Sequence, residues 1–343
     1  MSLLDMRRIR RGPWALVLFS PFAAHADYSW ELGGLFDHRE RDRERSAPTG
    51  EFDTDQLSLS ATHYLDPVEE GSGPLALAAF FDPRTQLSIA AGEEDTTSRS
   101  FGGPNSFNNA QGKEEITHYS LRGAYLFPKS KWYAGGRYAR HDGERRFTSS
   151  SINPANVMGS GMISSDVQDY ALLAGKYFGM GATRLELSFE QSTEESEISL
   201  TSCSFFGFCS TSSFSGETTW DTPKLAVMHV RKFRSATYAL LGEYSETQER
   251  FRGQIFDQDA TRTYFVGAEL YPVATIGVRL GYEAFESPAF DEDTVSIGAS
   301  WFFRRNVGLD LTLWRERAED NYPFSDDDPR YTDRAALRVI GRL

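Results

Sequence analysis

The stretch YTDRAALRVIGRL, Tyr331 to Leu343, ends the sequence and alternates between two kinds of residue. One face of an extended chain would carry Ala335, Leu337, Val339, Gly341 and Leu343, and the opposite face would carry Arg334, Arg338 and Arg342. The closing strand of an outer-membrane β-barrel needs this pattern, because one face meets lipid and the other meets water. An amphipathic edge strand of a soluble protein would show it too, so this segment alone leaves both interpretations open.

The first 26 residues have the three parts of a secretory signal peptide. Four arginines precede the apolar run Trp14–Phe19, and Ala24-His25-Ala26 provides a small-x-small cleavage site. The apolar run is shorter than the roughly 20 residues that a spanning helix needs. We therefore predict a cleaved signal peptide over residues 1–26, a single transmembrane β-barrel domain over residues 27–343, and localisation in the outer membrane of the cell.

The composition argues against nucleic acid as a partner and is compatible with a β-barrel. Without the predicted signal peptide the chain carries 32 basic and 48 acidic residues, a net charge of −16, which argues against nucleic acid as a partner. The mean hydropathy of −0.46 is typical of a soluble protein. Barrel strands alternate lipid-facing and water-facing residues, however, so they average to a similar value. The 46 aromatic residues and 29 glycines suit twisted strands with aromatic girdles.

Period-2 runs between turn residues predict about fourteen strands. The breaks between the runs alternate in length. The short breaks are Asp66–Gly73, Pro128–Lys131, Gly179–Thr183, Lys232–Ser235, Pro272–Ala274 and Arg304–Asn306. The long breaks are Arg39–Glu51, Glu93–Lys113, Gly143–Met162, Thr193–Glu217, Thr247–Asp257, Ser287–Glu292 and Glu316–Arg330. This alternation predicts an all-β, antiparallel up-and-down barrel with short periplasmic turns and long extracellular loops.

Aromatic residues crowd the short breaks, which predicts a girdle at one membrane interface. The residues concerned are Phe127, Trp132, Tyr133, Tyr177, Phe178, Phe233, Tyr238, Tyr271, Trp301, Phe302 and Phe303. A β-sandwich core would instead scatter its aromatic residues along the strand centres. No helical period is sustained along the chain, which disfavours an α/β enzyme fold.

Charged residues fall on the face of the strands opposite the apolar one, so we predict that they line the lumen. The predicted pore-lining residues are Glu31, Arg122, Arg137, Glu186, Glu243, Glu269, Arg279, Glu283, Asp310 and Arg338. About fourteen strands enclose a water-filled interior unless something plugs it. We predict a porin that passes ions and small hydrophilic solutes by passive diffusion, with a mild preference for cations.

The two cysteines, Cys203 and Cys209, have five residues between them and lie in a stretch rich in serine and threonine. In an exported chain such a pair most simply forms a disulfide. A metal site would need further ligands, and the nearest histidine is His229. The other histidines are dispersed, so we predict neither a metal site nor a cofactor.

The hairpin from Ala61 to Phe81 resembles the second and third strands of the general porin family of Gram-negative outer membranes. Tyr64-Leu-Asp-Pro-Val68 and Pro74-Leu-Ala-Leu-Ala-Ala-Phe-Phe81 carry the resemblance. His63, Leu65 and Leu77 depart from the family pattern, and Leu343 replaces its usual terminal phenylalanine. The resemblance implies a third strand over the Pro74 segment and a porin-like channel.

Two other functions stay open. The first is a substrate-specific channel for a sugar or peptide; a carrier of hydrophobic substrates would be expected to have an N-terminal segment entering the barrel, and few residues precede the first predicted strand. The second is an outer-membrane hydrolase, because His118 and Ser120 share a strand face as a base and a nucleophile could. No orienting acid is recognisable, so we predict a non-enzyme.

The expected partners are outer-membrane lipids, lipopolysaccharide and the barrel-assembly machinery, the latter through the C-terminal strand, with a homotrimer left open.

Overall fold

A computed structural model describes thirteen segments of the chain, from residue 27 to residue 343. They are residues 27–42, 49–69, 71, 73–101, 108–151, 157–179, 182–203, 209–233, 236–251, 254–255, 260–288, 290–320 and 330–343. The predicted signal peptide lies outside these residues. No helix among them is long and apolar enough to cross a membrane.

Fourteen antiparallel strands close into a barrel, with a two-residue strand added to one hairpin. The strands are β1 Asp27–Asp42, β2 Thr49–Glu69, β3 Gln86–Phe101, β4 Asn108–Phe127, β5 Trp132–Ser151, β6 Val157–Phe178, β7 Thr183–Cys203, β8 Cys209–Phe233, β9 Ala236–Phe251, β10 Gln254–Ile255, β11 Thr261–Val273, β12 Ile276–Glu286, β13 Phe290–Arg304, β14 Val307–Asp320 and β15 Arg330–Arg342. Each barrel strand pairs with its neighbour in sequence, β10 extends the hairpin after β9, and β15 pairs with β1 to close the ring. The predicted all-β barrel is confirmed.

The two faces of the wall differ as the alternation predicted. In β7 the exposed residues are Leu185, Leu187 and Phe189, and the half-buried ones between them are Glu186, Ser188 and Glu190. Arg137 on β5 forms an ion pair with Glu190 on β7, across the intervening strand. Only the concave side of a curved wall brings such side chains together, so the polar face is the lumen. Arg334, Arg338 and Arg342 of β15 form ion pairs on this same side.

The strands run further than the sequence pattern indicated. Residues 93–113 were expected to form one long loop, but β3 continues to Phe101 and β4 starts at Asn108. Likewise β7 and β8 extend through most of residues 193–217. Beyond the membrane both faces of a strand are wet, so the hydrogen-bonded ladder continues while the alternation of apolar and polar residues disappears. Hydrophobic patterning therefore underestimates the length of these strands.

The connection between β2 and β3 differs from the expectation drawn from the porin resemblance. Pro74 to Phe81 does not form the third strand: Leu75–Leu77 is a 3₁₀ helix and Ala78–Phe81 is one α-helical turn, α1. Alanine and leucine favour helix, and Pro74 occupies the position before the first helical residue. β3 begins only at Gln86. The strand prediction was wrong because a short apolar run fits a helix and a buried strand equally well.

Candidate functional site: the barrel lumen

The helical connection between β2 and β3, residues 73–85, enters the short-turn end of the lumen. We call it the inserted turn. The Leu75 backbone N–H donates a 2.9 Å hydrogen bond to the carbonyl of Ala274, in the turn between β11 and β12. In the ring of fourteen strands that turn lies almost opposite the β2–β3 connection. The inserted turn therefore crosses the barrel instead of following its rim.

Apolar side chains hold the inserted turn against several parts of the inner wall. Leu77 and Phe80 pack with Met228, Val230, Ala239 and Tyr271; Ala78 packs with Tyr28, Tyr64 and Val68; Leu75 packs with Phe302 and Ile340. Leu75, Leu77, Ala78 and Phe80 are each at most 8% exposed. Full burial of a leucine or phenylalanine contributes about 1.5–3 kcal/mol. The inserted turn is consequently a packed part of the fold that narrows this end of the lumen.

The aromatic residues at the short turns divide between the two faces of the wall. Tyr133, Tyr271 and Phe302, predicted to lie in the membrane girdle, are at most 7% exposed and face the lumen. Tyr177 also faces inward, with its ring 5.9 Å from that of Phe80. The girdle prediction was wrong for these four because neighbouring residues of a strand point to opposite faces. The outward-facing aromatic residues are Phe127, Trp132, Phe178, Phe233, Trp301 and Phe303.

Glycines make room for the inward-facing rings. A Cβ atom added to Gly277 would lie 2.5 Å from Cε1 of Tyr271, closer than any real contact. A Cβ atom on Gly308 would likewise lie 2.9 Å from the Phe302 ring. Glycine in a strand permits such a close approach of a neighbouring group. These rings therefore lie along the wall, in contact with the inserted turn.

Above the inserted turn, the lumen carries opposite charges in contact with each other. Among the predicted pore-lining residues, Arg137 lies 2.5 Å from Glu190, Arg338 lies 3.5 Å from Glu31, and Arg279 lies 3.9 Å from Glu269 and forms a closer ion pair with Asp310. Glu243 forms an ion pair with Lys224, and Glu186 accepts a 2.6 Å hydrogen bond from the Tyr133 hydroxyl. Arg122 is opposite Arg137 in the β4–β5 ladder. Glu283 interacts electrostatically with Glu243 and Lys224. Their assignment to a conducting pore remains a prediction.

The structure adds three lumen residues that the sequence reasoning missed: Asp37, Arg41 and Glu316. Arg334 binds Asp37 through two hydrogen bonds of 2.8 Å from its Nε atom, and Arg41 lies 2.7 Å from Glu316. Both pairs join the two ends of the barrel domain. The alternation along β1 could have identified Asp37 and Arg41, because both are on the same strand face as Glu31. Their ion-pair partners could be identified only from the registers of β1 against β15 and of β15 against β14.

His118 and Ser120 both face the lumen, and no hydrogen bond joins them in the described part of the chain. The His118 ring lies 5.9 Å from the ring of His141, and His141 Nε2 lies 3.2 Å from Asp169. The Ser192 hydroxyl donates a 2.6 Å hydrogen bond to the same aspartate. A catalytic triad places histidine between the acid and the serine, whereas here the acid lies between them. The arrangement of His141, Asp169 and Ser192 is therefore not that of a Ser–His–Asp triad.

A second girdle of tyrosines lies on the outer face, distal to the short turns. Its members are Tyr119, Tyr138, Tyr170, Tyr244, Tyr264 and Tyr282. The Tyr119 hydroxyl donates to Asp142, and the Tyr282 hydroxyl donates to Asp293. Tyrosine suits a membrane interface because its ring is apolar and its hydroxyl is wet. This girdle was not predicted, although the outward phase of each tyrosine was readable from the alternation.

The predicted disulfide between Cys203 and Cys209 is present and closes the last pair of the β7–β8 ladder.

Within the described part of the chain, three side chains of the kinds that bind metal ions lie close together: His38, Asp53 and Asp55. His38 Nδ1 lies 2.8 Å from Asp55 and 3.5 Å from Asp53. The two carboxylates are more than half exposed, and nothing further there indicates a metal ion.

Solved structures share this fold at low sequence identity. A Pseudomonas aeruginosa FadL homologue matches with a TM-score of 0.58 and 10% identity over 92% of this chain and 90% of its own. The Ralstonia pickettii toluene transporter TbuX matches with a TM-score of 0.57 and 9% identity over 92% and 90%. The Pseudomonas putida toluene transporter TodX gives 0.54 and 11% over 93% and 91%. No protein-family model and no curated protein sequence matches the chain, so the resemblance to general porins is not confirmed.

Proposed function

We propose that the protein is an outer-membrane channel through which a restricted class of small solutes diffuses passively, with its short turns in the periplasm. The inserted turn carries this proposal. A general diffusion porin needs a continuous aqueous path, whereas here buried apolar side chains cross the short-turn end of the lumen. A substrate-specific channel therefore fits better than the general porin that the sequence favoured.

The structural neighbours support the same choice. TodX and TbuX are described as toluene transporters, and their fold covers nine-tenths of this chain. Identities near 10% limit the likeness to the fold, so toluene is not transferred as a substrate. What supports a channel is the combination of that fold, an apolar outer band between two aromatic girdles, and a charged lumen.

Single-channel conductance of the purified protein in a planar bilayer tests the role of the inserted turn. Leu77→Ser and Phe80→Ser together remove its two main contacts with β8, β9 and β11. We expect low conductance or rare openings from the unaltered protein, and larger or longer openings from the double variant. Phe81→Ser is the matched control, because Phe81 is 38% exposed in the same helical turn.

Proteoliposome swelling tests the restriction on solutes. A specific channel should admit some solutes much faster than others of equal size, whereas a general porin orders its rates by size alone. Steady, large conductance from the unaltered protein, unchanged by the double substitution, together with swelling rates set only by solute size, would contradict the proposal and restore the general porin.

A further inference from the structure

A cavity of about 370 Å³ opens into the lumen beside the inserted turn, and residues of β1, β9 and β11 to β15 line it. We call it the luminal recess. Four large apolar side chains contribute to its lining: Leu35, Leu241, Phe265 and Trp314. Leu241 also packs against the cluster that holds the inserted turn, so the recess adjoins the narrowed end of the lumen. Such a volume is at the lower end of the range for small-molecule sites, about 300–1,000 Å³.

The apolar lining is built into the wall. The Phe265 ring lies over two glycines of β11 and β12: a Cβ atom on Gly267 would be 2.9 Å from it, and one on Gly281 would be 3.1 Å from it. Side chains at either position would displace the ring. The ring is therefore held flat beside the cavity, which leaves the space in front of it unfilled.

Two arginines line the recess, Arg279 and Arg338, and they differ in how many of their N–H groups already have a partner. Arg279 Nη2 forms an ion pair with Asp310 and donates a 2.9 Å hydrogen bond to Thr312. Among the described residues Arg338 has one ion-pair partner, Glu31, at 3.5 Å, and its side chain is 46% exposed. A contact of 3.5 Å is longer than an ordinary N–H···O hydrogen bond, and the guanidinium has five N–H donors. Arg338 therefore has donors to offer a ligand.

The acids near the recess already have other partners. Asp310 holds Arg279, Glu269 accepts a 2.5 Å hydrogen bond from the Tyr271 hydroxyl, and Glu31 also lies 3.2 Å from Arg342. A cationic ligand would have to compete with these contacts. An anion would meet Arg338 without displacing a short contact, so the balance favours an anionic ligand.

We propose that the luminal recess binds small organic acids, with an apolar body of about the size of one aromatic ring against Phe265 and Trp314 and a carboxylate on Arg338. This inference rests on the proposed function, of which it names the substrate class. Arginine binds carboxylates with two parallel hydrogen bonds, and these charge-assisted bonds are stronger than neutral ones. A site that combines an apolar body contact with one charged anchor distinguishes acids from sugars and from neutral hydrocarbons.

Equilibrium dialysis with phenylacetate tests the inference. The purified protein is held in amphipol, so that no detergent micelle takes up the probe. Phenylacetamide has the same shape without the charge, and acetate has the charge without the ring. We expect phenylacetate to bind about 10- to 100-fold more tightly than either, the loss that removal of a charged hydrogen bond or of the ring contact produces.

Substitutions locate the site. Arg338→Gln should weaken phenylacetate about 10- to 100-fold and leave phenylacetamide unchanged, which also shows that the variant is folded. Phe265→Ala should weaken both probes. Arg122→Gln is the matched control, since Arg122 faces the lumen from β4, away from the recess. It should leave both affinities unchanged.

Equal binding of phenylacetate and phenylacetamide, or equal effects of Arg338→Gln and Arg122→Gln, would overturn the inference. The failure of the channel proposal is distinguishable, because dialysis does not require passage through the barrel. A protein that selects among solutes in proteoliposomes but does not bind phenylacetate would refute only the recess assignment. A protein that binds phenylacetate but passes no solute would refute only the channel.

Discussion

At the scale of single residues, the alternation along each strand decides what a side chain does. The same two or three positions at a strand end provide a membrane anchor and a contact for the inserted turn, as Trp301 and Phe302 show: the first is 54% exposed and the second 2%. Sequence composition near a turn cannot separate these roles. The phase of the strand can, once one residue of that strand has been assigned to a face.

Removal of one lumen charge should change the ion preference. Arg137→Gln leaves Glu190 without its ion-pair partner and makes the lumen more negative by one charge. We expect the ratio of cation to anion permeability to rise roughly twofold or more, because a fixed negative charge concentrates cations. The reversal potential under a salt gradient measures this ratio in channels opened by Leu77→Ser and Phe80→Ser.

The control for this experiment is Arg140→Gln. Arg140 forms ion pairs with Asp142 and Asp166, and its neighbour in the ladder, Tyr119, places it on the outer face. Its loss changes the net charge of the protein equally but does not alter the lumen. Identical reversal potentials for the two variants would show that Arg137 does not contact the ion path.

The glycine beneath Tyr271 should be intolerant of any side chain. Gly277→Ala would place a Cβ atom 2.5 Å from the ring, and the ring in turn packs against Leu77 and Phe80. We expect a loss of about 1–3 kcal/mol in the free energy of unfolding, the usual effect of overpacking. Urea unfolding of the protein in lipid vesicles measures it. Gly34→Ala, whose Cβ atom would lie 3.7 Å from Leu59, should be close to neutral.

At the scale of secondary structure elements, the described segments contain one irregular connection among short turns. Residues 73–85 are long enough to reach the opposite wall, and their alanines and leucines favour the short helical turns that they form. The other short turns that the structure describes in full, residues 128–131, 274–275 and 305–306, contain only a few residues each. The inserted turn therefore comes from a local sequence signal that the resemblance to a porin hairpin obscured.

The strands also carry a pH-sensitive pair beyond the tyrosine girdle. Glu292 on β13 and Glu316 on β14 lie close together, and burial together with the neighbouring Glu316 carboxylate raises the pKa of Glu292 to about 7. Arg41 and Arg39 oppose the shift in part. A proton therefore binds this pair in the folded barrel at a pH where the unfolded chain has already lost it, since an ordinary glutamate pKa is about 4.3.

Stability should consequently decrease as the pH rises through 7. Between the two pKa values the folded state binds more protons than the unfolded state, so this contribution falls as the pH rises from about 4.3 through 7. Part of it remains at pH 6, and it is lost by pH 8. Urea unfolding midpoints at the two values measure it, and Glu292→Gln should remove the difference. Glu319→Gln, in the exposed ion pair with Arg317, should retain it. The assignment would be contradicted if the unfolding midpoint of the unaltered protein rose with pH while the midpoints of the variants did not.

At the scale of the whole molecule, closure of the barrel depends on contacts between its first and last strands. Asp37 of β1 is 4% exposed and accepts hydrogen bonds from Arg334 of β15. Removing one partner leaves the other charge largely buried. We expect Asp37→Ala to lower the free energy of unfolding by roughly 3 kcal/mol, the lower end for a buried pair because Arg334 is one-third exposed.

Asp333→Ala provides the comparison for closure. Asp333 lies 3.8 Å from Arg315, and both side chains are more than 60% exposed. An exposed pair contributes at most about 1 kcal/mol, so this variant should unfold nearly as the original protein does. Equal losses from the two variants, measured by urea unfolding in vesicles, would show that the Asp37–Arg334 pair has no special role in closing the barrel.

The sequence by itself determined the barrel. Alternation in β15, the face assignments in β4, β7, β12 and β14, and the paired cysteines are all local features, because a strand's face depends only on the parity of its residues. Boundaries beyond the membrane were underestimated, since water on both sides of a strand removes the apolar signal while the ladder continues. The tyrosine girdle needed no tertiary information and was simply overlooked.

Only the tertiary structure decided what fills the lumen. Which residues the inserted turn touches, which acid accompanies which arginine, and which apolar side chains meet in the luminal recess all depend on the register and curvature of strands that are distant in sequence. Phe265, Trp314 and Arg338 belong to three different strands, and nothing in their own segments relates them. Parity assigns each to the inside, and closure of the ring brings them together.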